Sequence, residues 1–383
     1  MEIKSIDVDQ LTELRKQLHQ KPELSGEEKN TSLKVIHFIE QYHPDKIITN
    51  IGGYGLAAIF NGKAPGKTVM IRSELDALPI QEQNTFQYRS QNDGISHKCG
   101  HDGHIVMVAG LAALLALQKP ESGRVILLFQ PAEETGQGAK AMVEDSKFKA
   151  LKPDFIFGLH NLPGFPTNQI VIRNGTFASA SKGMIIQLEG KTSHAAEPEN
   201  GISPANAMAS LMQLLPTLPS KIPEIKNFSL ATLIHARLGD IAFGTSPGYA
   251  EVMVTLRAFE QEDMNMLCNE AEKLARQIAE KEHLTCTITY REEFHATTSS
   301  NESVELIKKA AEKNNFNWIE KDEPFKWSED FGWFTQKYKG AFFGLGAGEQ
   351  HPQLHHPDYD FPDEIISTGV KLFYTLINNI LNQ

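Results

Sequence analysis

At 383 residues the chain is long enough for two domains with separate cores, and its 40% hydrophobic and 22% charged residues are those of an ordinary globular protein. The 37 Lys and Arg against 48 Asp and Glu leave a formal charge of −11, which argues against a nucleic-acid partner or an anionic membrane surface. The first residues carry no apolar leader, and no apolar run is long enough to cross a bilayer, so a cytoplasmic protein is expected. The cysteines, Cys99, Cys268 and Cys286, are an odd count and no disulfide framework; each is expected as a free thiol, a core residue or a ligand.

Taken in chain order, Leu11, Leu14 and Leu18 recur at helical spacing, with Asp7 or Asp9 as cap and Pro22 as stop. A second helix follows Glu27, with Leu33, Ile36 and Ile39 expected on its inner face. Residues 56–60 and 68–72 read as strands, 105–117 as a strongly apolar helix, 124–129 as a strand, 138–145 as a helix and 154–159 as a strand. Strands alternating with helices, and apolar throughout, indicate an α/β/α domain with a mostly parallel sheet covered on both faces. The middle reads differently. Residues 183–189, 204–215, 228–234, 249–259, 267–278 and 285–290 give the order β-α-β-β-α-β of a ferredoxin-like unit. An α+β domain inserted at 179–291 is therefore expected, which leaves the α/β domain discontinuous over 1–178 and 292–383. Helices near 304–314 and 330–336, a strand at 340–345 and a final helix from Asp363 complete that domain.

The densest polar cluster lies just before the apolar helix, where three histidines, one cysteine and one aspartate fall between His97 and His104. Cys99 and His101 are two apart, a separation that lets a loop wrap a metal from two directions; thiolate and imidazole suit a borderline ion. The bland alternative is a polar loop with Asp102 at the helix start. Asp102 and His104 also suit partners that orient ligands. A second cluster, Pro131-Ala132-Glu133-Glu134, follows a buried strand. In extended backbone, adjacent side chains point opposite ways, so one glutamate is free to ligate while its neighbour faces a substrate. Two solvated glutamates near a helix start are the plain alternative.

Position joins these clusters. Glu74 and Asp76, Glu133 and Glu134, His160, and His355 or His356 all follow strands of the same expected sheet. Open α/β sheets bind ligands beyond the carboxyl ends of their strands. Singly, His160 reads as a buried structural histidine and His355 as a surface residue. Jointly the set offers one Cys, three His and one or two Glu, enough for two metals with open positions.

The chain resembles the metal-dependent amidohydrolases of the hippurate hydrolase and auxin–amino acid conjugate hydrolase type, within the aminoacylase and carboxypeptidase metallopeptidases. The resemblance rests on His19-Gln20-Lys21-Pro22-Glu23-Leu24-Ser25, Arg72-Ser73-Glu74-Leu75-Asp76-Ala77-Leu78-Pro79, Cys99-Gly100-His101-Asp102-Gly103-His104, Pro131-Ala132-Glu133-Glu134, and His194-Ala195-Ala196-Glu197-Pro198 with Gly201 and Pro204. It implies two divalent ions per subunit, zinc or manganese, ligated by Cys99, His101, Glu134, His160 and His355. It implies Glu133 as general base toward a water bridging the ions, and hydrolysis of the amide bond of N-acyl amino acids or similar small amides. It implies that the inserted domain is a lid and a homodimer interface, with His194 binding substrate or stabilising the oxyanion.

Three departures stand out. The family's Asp is Glu74, its usual Ala before the Cys is Lys98, and the Asn that faces substrate is replaced by Gly244 in Ala242-Phe243-Gly244-Thr245-Ser246-Pro247-Gly248. Arg257 matches the Arg ending that segment and suits a carboxylate anchor, or a surface arginine paired with a nearby acid. The competing readings are a dipeptidase or aminopeptidase of the same chemistry, for which Gly244 leaves room, and a non-catalytic metal-binding dimer, against which Glu133 speaks.

Overall fold

A computed structural model describes residues 7–382; Gln383 and the start of the N-terminal stretch read above as lacking a leader lie outside the described residues. The chain divides into two compact units, one of Met1–Phe177, Thr297–Glu323 and Asp330–Gln383, the other of Ala178–Ala296 and Pro324–Glu329.

The first unit is built on an eight-stranded sheet in the order Lys46–Ile51, Gly55–Asn61, Ser122–Gln130, Ala64–Glu74, Phe155–Pro163, Gly340–Gly348, Ile170–Ile172 and Trp318–Glu320. The central strands, from Ser122–Gln130 to Gly340–Gly348, run parallel. Antiparallel pairs flank them, Lys46–Ile51 with Gly55–Asn61, Gly55–Asn61 with Ser122–Gln130, and Gly340–Gly348 with Ile170–Ile172, while the edge strand Trp318–Glu320 pairs parallel with Ile170–Ile172. Central strands are buried on both faces, which is why they read as continuous apolar runs. Val69, Ile71, Val125, Leu127 and Phe157 join the core that includes Val106, Leu111, Phe373 and Ile377, contributed by the helices His101–Leu117 and Ile366–Leu381. The shorter helices Gly138–Glu144 and Gly332–Thr335 pack against Ser122–Gln130 and Gly340–Gly348 respectively.

The helix Val8–His19 begins where expected, with Asp7 accepting from Gln10 N at 2.9 Å. It buries Leu11, Leu14 and Leu18, and Arg15 and His19 with them. The helix Lys29–Glu40 departs from expectation: it buries Val35, Phe38 and Ile39, while Leu33 is exposed. The buried face also carries Thr31, whose N and Oγ1 donate to the Glu23 carboxylate at 2.8 Å and 2.9 Å. The edge strand Lys46–Ile51, half-exposed and poor in alternation, was not anticipated. The helix expected over 330–336 is one turn, Gly332–Thr335.

The second unit is a four-stranded sheet in the order Ser229–Leu238, Tyr249–Ala258, Ala180–Glu189 and Thr285–Phe294, every neighbouring pair antiparallel. With the helices Ala205–Leu214 and Gln261–Lys281 this is the ferredoxin-like arrangement. Ala250, Val252, Val254, Leu256 and Ala258 alternate inward along one strand and meet Leu211, Leu267, Ala271 and Ala275 from the helices. No helix among the described residues is long and apolar enough to cross a membrane.

Candidate metal centre

Strand ends and one helix start carry the site. Gly100 caps the helix His101–Leu117 at φ 90°, a left-handed conformation that glycine takes without strain. A Cβ there would lie 2.5 Å from Asn161 Oδ1 and 2.8 Å from the Tyr359 hydroxyl. This corner lets Cys99 and His101 face the same space. After Ser122–Gln130, Ala132 adopts φ 50° and Gly136 N donates to Glu133 O at 2.7 Å. Glu133 and Glu134 thus stand in a tight turn, where extended backbone was expected. His160 projects from within Phe155–Pro163, and His355 sits at φ 66° on the loop after Gly340–Gly348.

The predicted ligands converge. Cys99 Sγ lies 3.3 Å from His160 Nε2, His101 Nε2 lies 3.8 Å from Glu134 Oε1, and His355 Nε2 lies 3.7 Å from Glu134 Oε2. One donor atom from each of Cys99, His101 and His160, and one from each of Cys99, Glu134 and His355, fall within 4.8 Å of one another. Such spacings suit ligands that each stand about 2.0–2.3 Å from a shared ion. Glu133 Oε2 lies 3.9 Å from His101 Nε2.

Neighbouring residues fix how these donor atoms point. The Asp76 carbonyl accepts from His101 Nδ1 at 2.9 Å, so neutral His101 carries its lone pair on Nε2. The Asn161 carbonyl does the same for His160 Nδ1 at 2.8 Å. The Asp76 carboxylate accepts from Glu134 N at 3.0 Å and Ser25 Oγ at 2.7 Å, and Glu28 accepts from Ala132 N at 2.8 Å. His104 has both ring nitrogens engaged, with Glu74 Oε2 at 2.9 Å and Asn161 Oδ1 at 2.6 Å, and donor atoms of Glu74, His101 and His104, one from each, also fall within 4.8 Å of one another. Glu74 is itself paired with Arg72. Its extra methylene is absorbed in this supporting layer. Lys98, expected as a cation near the site, is buried and paired with Glu82 at 2.6 Å.

The donor set fits divalent cations. His101 Nε2 is buried and has no hydrogen-bond partner. Burial opposes a charge on His101, yet Asp76, Glu74 and Glu134 outweigh it and push its pKa up to about 10. Burial, then Glu134 and Glu133, hold the Cys99 thiol well above its ordinary value. Burial, then His104 and His101, hold His160 well below its own. The pocket is therefore short of positive charge and holds imidazole and thiol groups that a cation would bind in place of protons.

His194 and Arg257 belong to the second unit. His194 is exposed, in the short strand Ser193–His194 that pairs with Thr245–Ser246, next to Gly244. Arg257 Nη1 donates to Ser328 Oγ at 2.8 Å and Lys326 O at 3.2 Å, and among the described residues no carboxylate pairs with it. The supporting roles of Glu28, Asn161 and Tyr359 were missed by sequence reasoning. None lies in a cluster of metal-type residues, so no local signal marks them.

The sequence matches peptidase family M20/M25/M40 over residues 70–379. It is 31% identical over 370 residues to the N-acetyldiaminopimelate deacetylase of Bacillus subtilis (strain 168), covering 95% of this chain and 97% of that protein. It is 29% identical over 369 residues to the hippurate hydrolase of Campylobacter jejuni, covering 95% and 94%. A solved Bacillus subtilis structure described as a dinuclear metal binding peptidase of the M20 family superposes with a TM-score of 0.83 at 25% identity, covering 98% of each chain. With the donors convergent and the match spanning most of its length, the chain belongs to peptidase family M20/M25/M40 and is a metal-dependent amidohydrolase.

Proposed function

We propose that the enzyme hydrolyses the amide bond of N-acyl amino acids or similar small amides, with Glu133 as general base. The observation that carries this reading is the pairing of Glu133 with Glu134 on one turn, 3.9 Å and 3.8 Å from the same His101 Nε2. Cys99, His101, Glu134, His160 and His355 would hold two divalent ions. Thiolate and imidazole favour zinc, while imidazole with carboxylate also suits manganese. Such ions supply Lewis acidity and lower the pKa of a water held at the site. Glu133 takes the proton of that water and delivers it to the leaving nitrogen. His194 is proposed as an oxyanion donor and Arg257, which among the described residues pairs with no carboxylate, as an anchor for a substrate carboxylate.

Homodimerisation through the second unit is part of the same reading. Its edge strand Ser229–Leu238 leaves Leu230, Ile234 and Leu238 exposed, and Ile241 and Phe243 follow in full exposure. The free thiols Cys99, Cys268 and Cys286 suit a reducing compartment and support a cytoplasmic placement. The test is turnover of a panel of N-acyl amino acids and dipeptides by metal-replete protein, with mass by light scattering. Preferred cleavage of acyl amino acids by a dimer supports the reading. Preference for dipeptides makes the enzyme a peptidase, and absence of turnover across the panel removes catalysis.

A further inference from the structure

Nothing in the chemistry above uses Lys98, although it directly precedes Cys99 in the sequence. Its side chain is buried with no exposure. Nζ donates to Glu82 Oε1 at 2.6 Å and to the Tyr359 carbonyl at 2.7 Å. Its own carbonyl accepts from His355 N at 2.7 Å. One residue therefore holds both ends of the turn His355–Tyr359, by its backbone at one end and its ammonium at the other. Tyr359 N closes the turn from inside, on His356 O at 3.0 Å.

His355 needs such a strap. Cys99, His101 and His160 are buried and held by packing, whereas the His355 side chain is 51% exposed. Its backbone sits at φ 66°, a conformation that a residue with a Cβ keeps only when its surroundings impose it. The Glu82 carboxylate anchors the strap in turn. It accepts from His19 Nε2 at 2.9 Å and Ser90 N at 2.6 Å, so Lys98 is neutralised and fixed on the side away from Tyr359.

We propose that Lys98 is a positioning residue for His355, fastening the turn His355–Tyr359 to the Cys99 loop so that the His355 imidazole is presented to a metal. The inference rests on the reading of His355 as a ligand, and the experiment separates the two. Zinc affinity and stoichiometry are measured by competition with a chromogenic chelator on wild type, Lys98→Met, Lys98→Arg, His355→Ala and the double variant Lys98→Met/His355→Ala. Amide hydrogen exchange over residues 355–359 is followed in metal-free protein.

Lys98→Met should weaken one of the two ions by at least about tenfold and leave the other unchanged, the size of loss that follows removal of a group orienting a ligand. Lys98→Arg should keep more of that affinity. The double variant should bind no more weakly than His355→Ala, and exchange over 355–359 should quicken in Lys98→Met. Wild-type affinity for both ions in Lys98→Met, alongside a loss in His355→Ala, overturns the role of Lys98 alone. So does a double variant in which both losses add, or unchanged exchange. Full metal binding by His355→Ala removes the ligand reading, and this inference with it. If Lys98→Met does not fold, Lys98→Met/Glu82→Gln, which removes both buried charges, carries the same comparison.

Discussion

His19 Nδ1 lies 2.8 Å from Asp102 Oδ2, with neither side chain exposed, and Asp102 follows His101 in the sequence. Glu82 engages the other ring nitrogen at 2.9 Å, and Arg15 reaches Asp102 at 3.2 Å. Burial opposes a charge on His19, but hydrogen bonds to Asp102 and Glu82 prevail and raise its pKa to about 9 from an ordinary 6.5. A histidine raised in this way stabilises the fold fully below pH 6.5, and the contribution is lost as the pH climbs through 9. In chelator, so that metal binding adds no pH dependence of its own, wild-type unfolding free energy should fall between these values more steeply than that of His19→Gln, by up to about 1.4 kcal/mol per pH unit. Denaturant titrations at a series of pH values measure the slopes, and equal slopes would show that His19 is neutral in the folded protein.

Glu133 and Glu134 should separate in their effects although they are neighbours. Glu133→Gln should keep the metal content of the wild type and lose about 10²- to 10⁴-fold in kcat, the span attributed to a positioned general base. Glu134→Gln should lose metal first and activity as a result. Elemental analysis beside steady-state kinetics distinguishes the two, and a Glu133→Gln enzyme that turns over normally with metals bound would need another base.

Metal uptake should expel protons. The Cys99 thiol is held well above its ordinary pKa and His101 is raised to about 10, so near neutral pH both carry a proton that a cation displaces. Calorimetry of zinc binding in buffers of different ionisation enthalpy should report release of about two protons, and chelation should abolish hydrolysis until zinc or manganese is restored. An enthalpy independent of buffer would mean that the ligands are already deprotonated.

Gly100→Ala should damage the fold and the site together. The new Cβ would sit 2.5 Å from Asn161 Oδ1 on a residue at φ 90°. The conformational strain alone costs about 1–3 kcal/mol. Urea unfolding should show at least that loss, with weakened metal binding because Cys99 and His101 flank the altered corner. Stability equal to wild type would mean that the corner rearranges freely.

Much of this was legible in the chain because periodicity and strand-end chemistry are local. The β-α-β-β-α-β order and the recurrence of Glu74, Asp76, Glu133, Glu134, His160 and His355 after strands follow from spacing, whereas the ligand set Cys99, His101, Glu134, His160 and His355 is what the family resemblance implies. What escaped depends on partners distant in sequence. Leu33 faces outward while Val35, Phe38 and Ile39 face inward, and the inward Thr31 is held by Glu23, a partner outside the helix. The turn of Glu133 and Glu134 rests on Ala132 at φ 50°, steadied by Glu28, which is far away in the chain. The charge of Lys98 is taken up by Glu82 and the Tyr359 carbonyl, both far from it in the chain.

The strand Gly340–Gly348 sits inside the large sheet, between Phe155–Pro163 and Ile170–Ile172. Its place bears on the order in which the protein assembles as it leaves the ribosome. The strands that flank it are synthesised well before it and wait with an open slot, while the ferredoxin-like strands and helices, Ala180–Phe294, emerge in the interval and are free to collapse first. Long-range strand pairing of this kind is slow and leaves strand edges uncovered for the longest time. His355 arrives later still, so a site that includes it cannot form until almost all of the chain has been made.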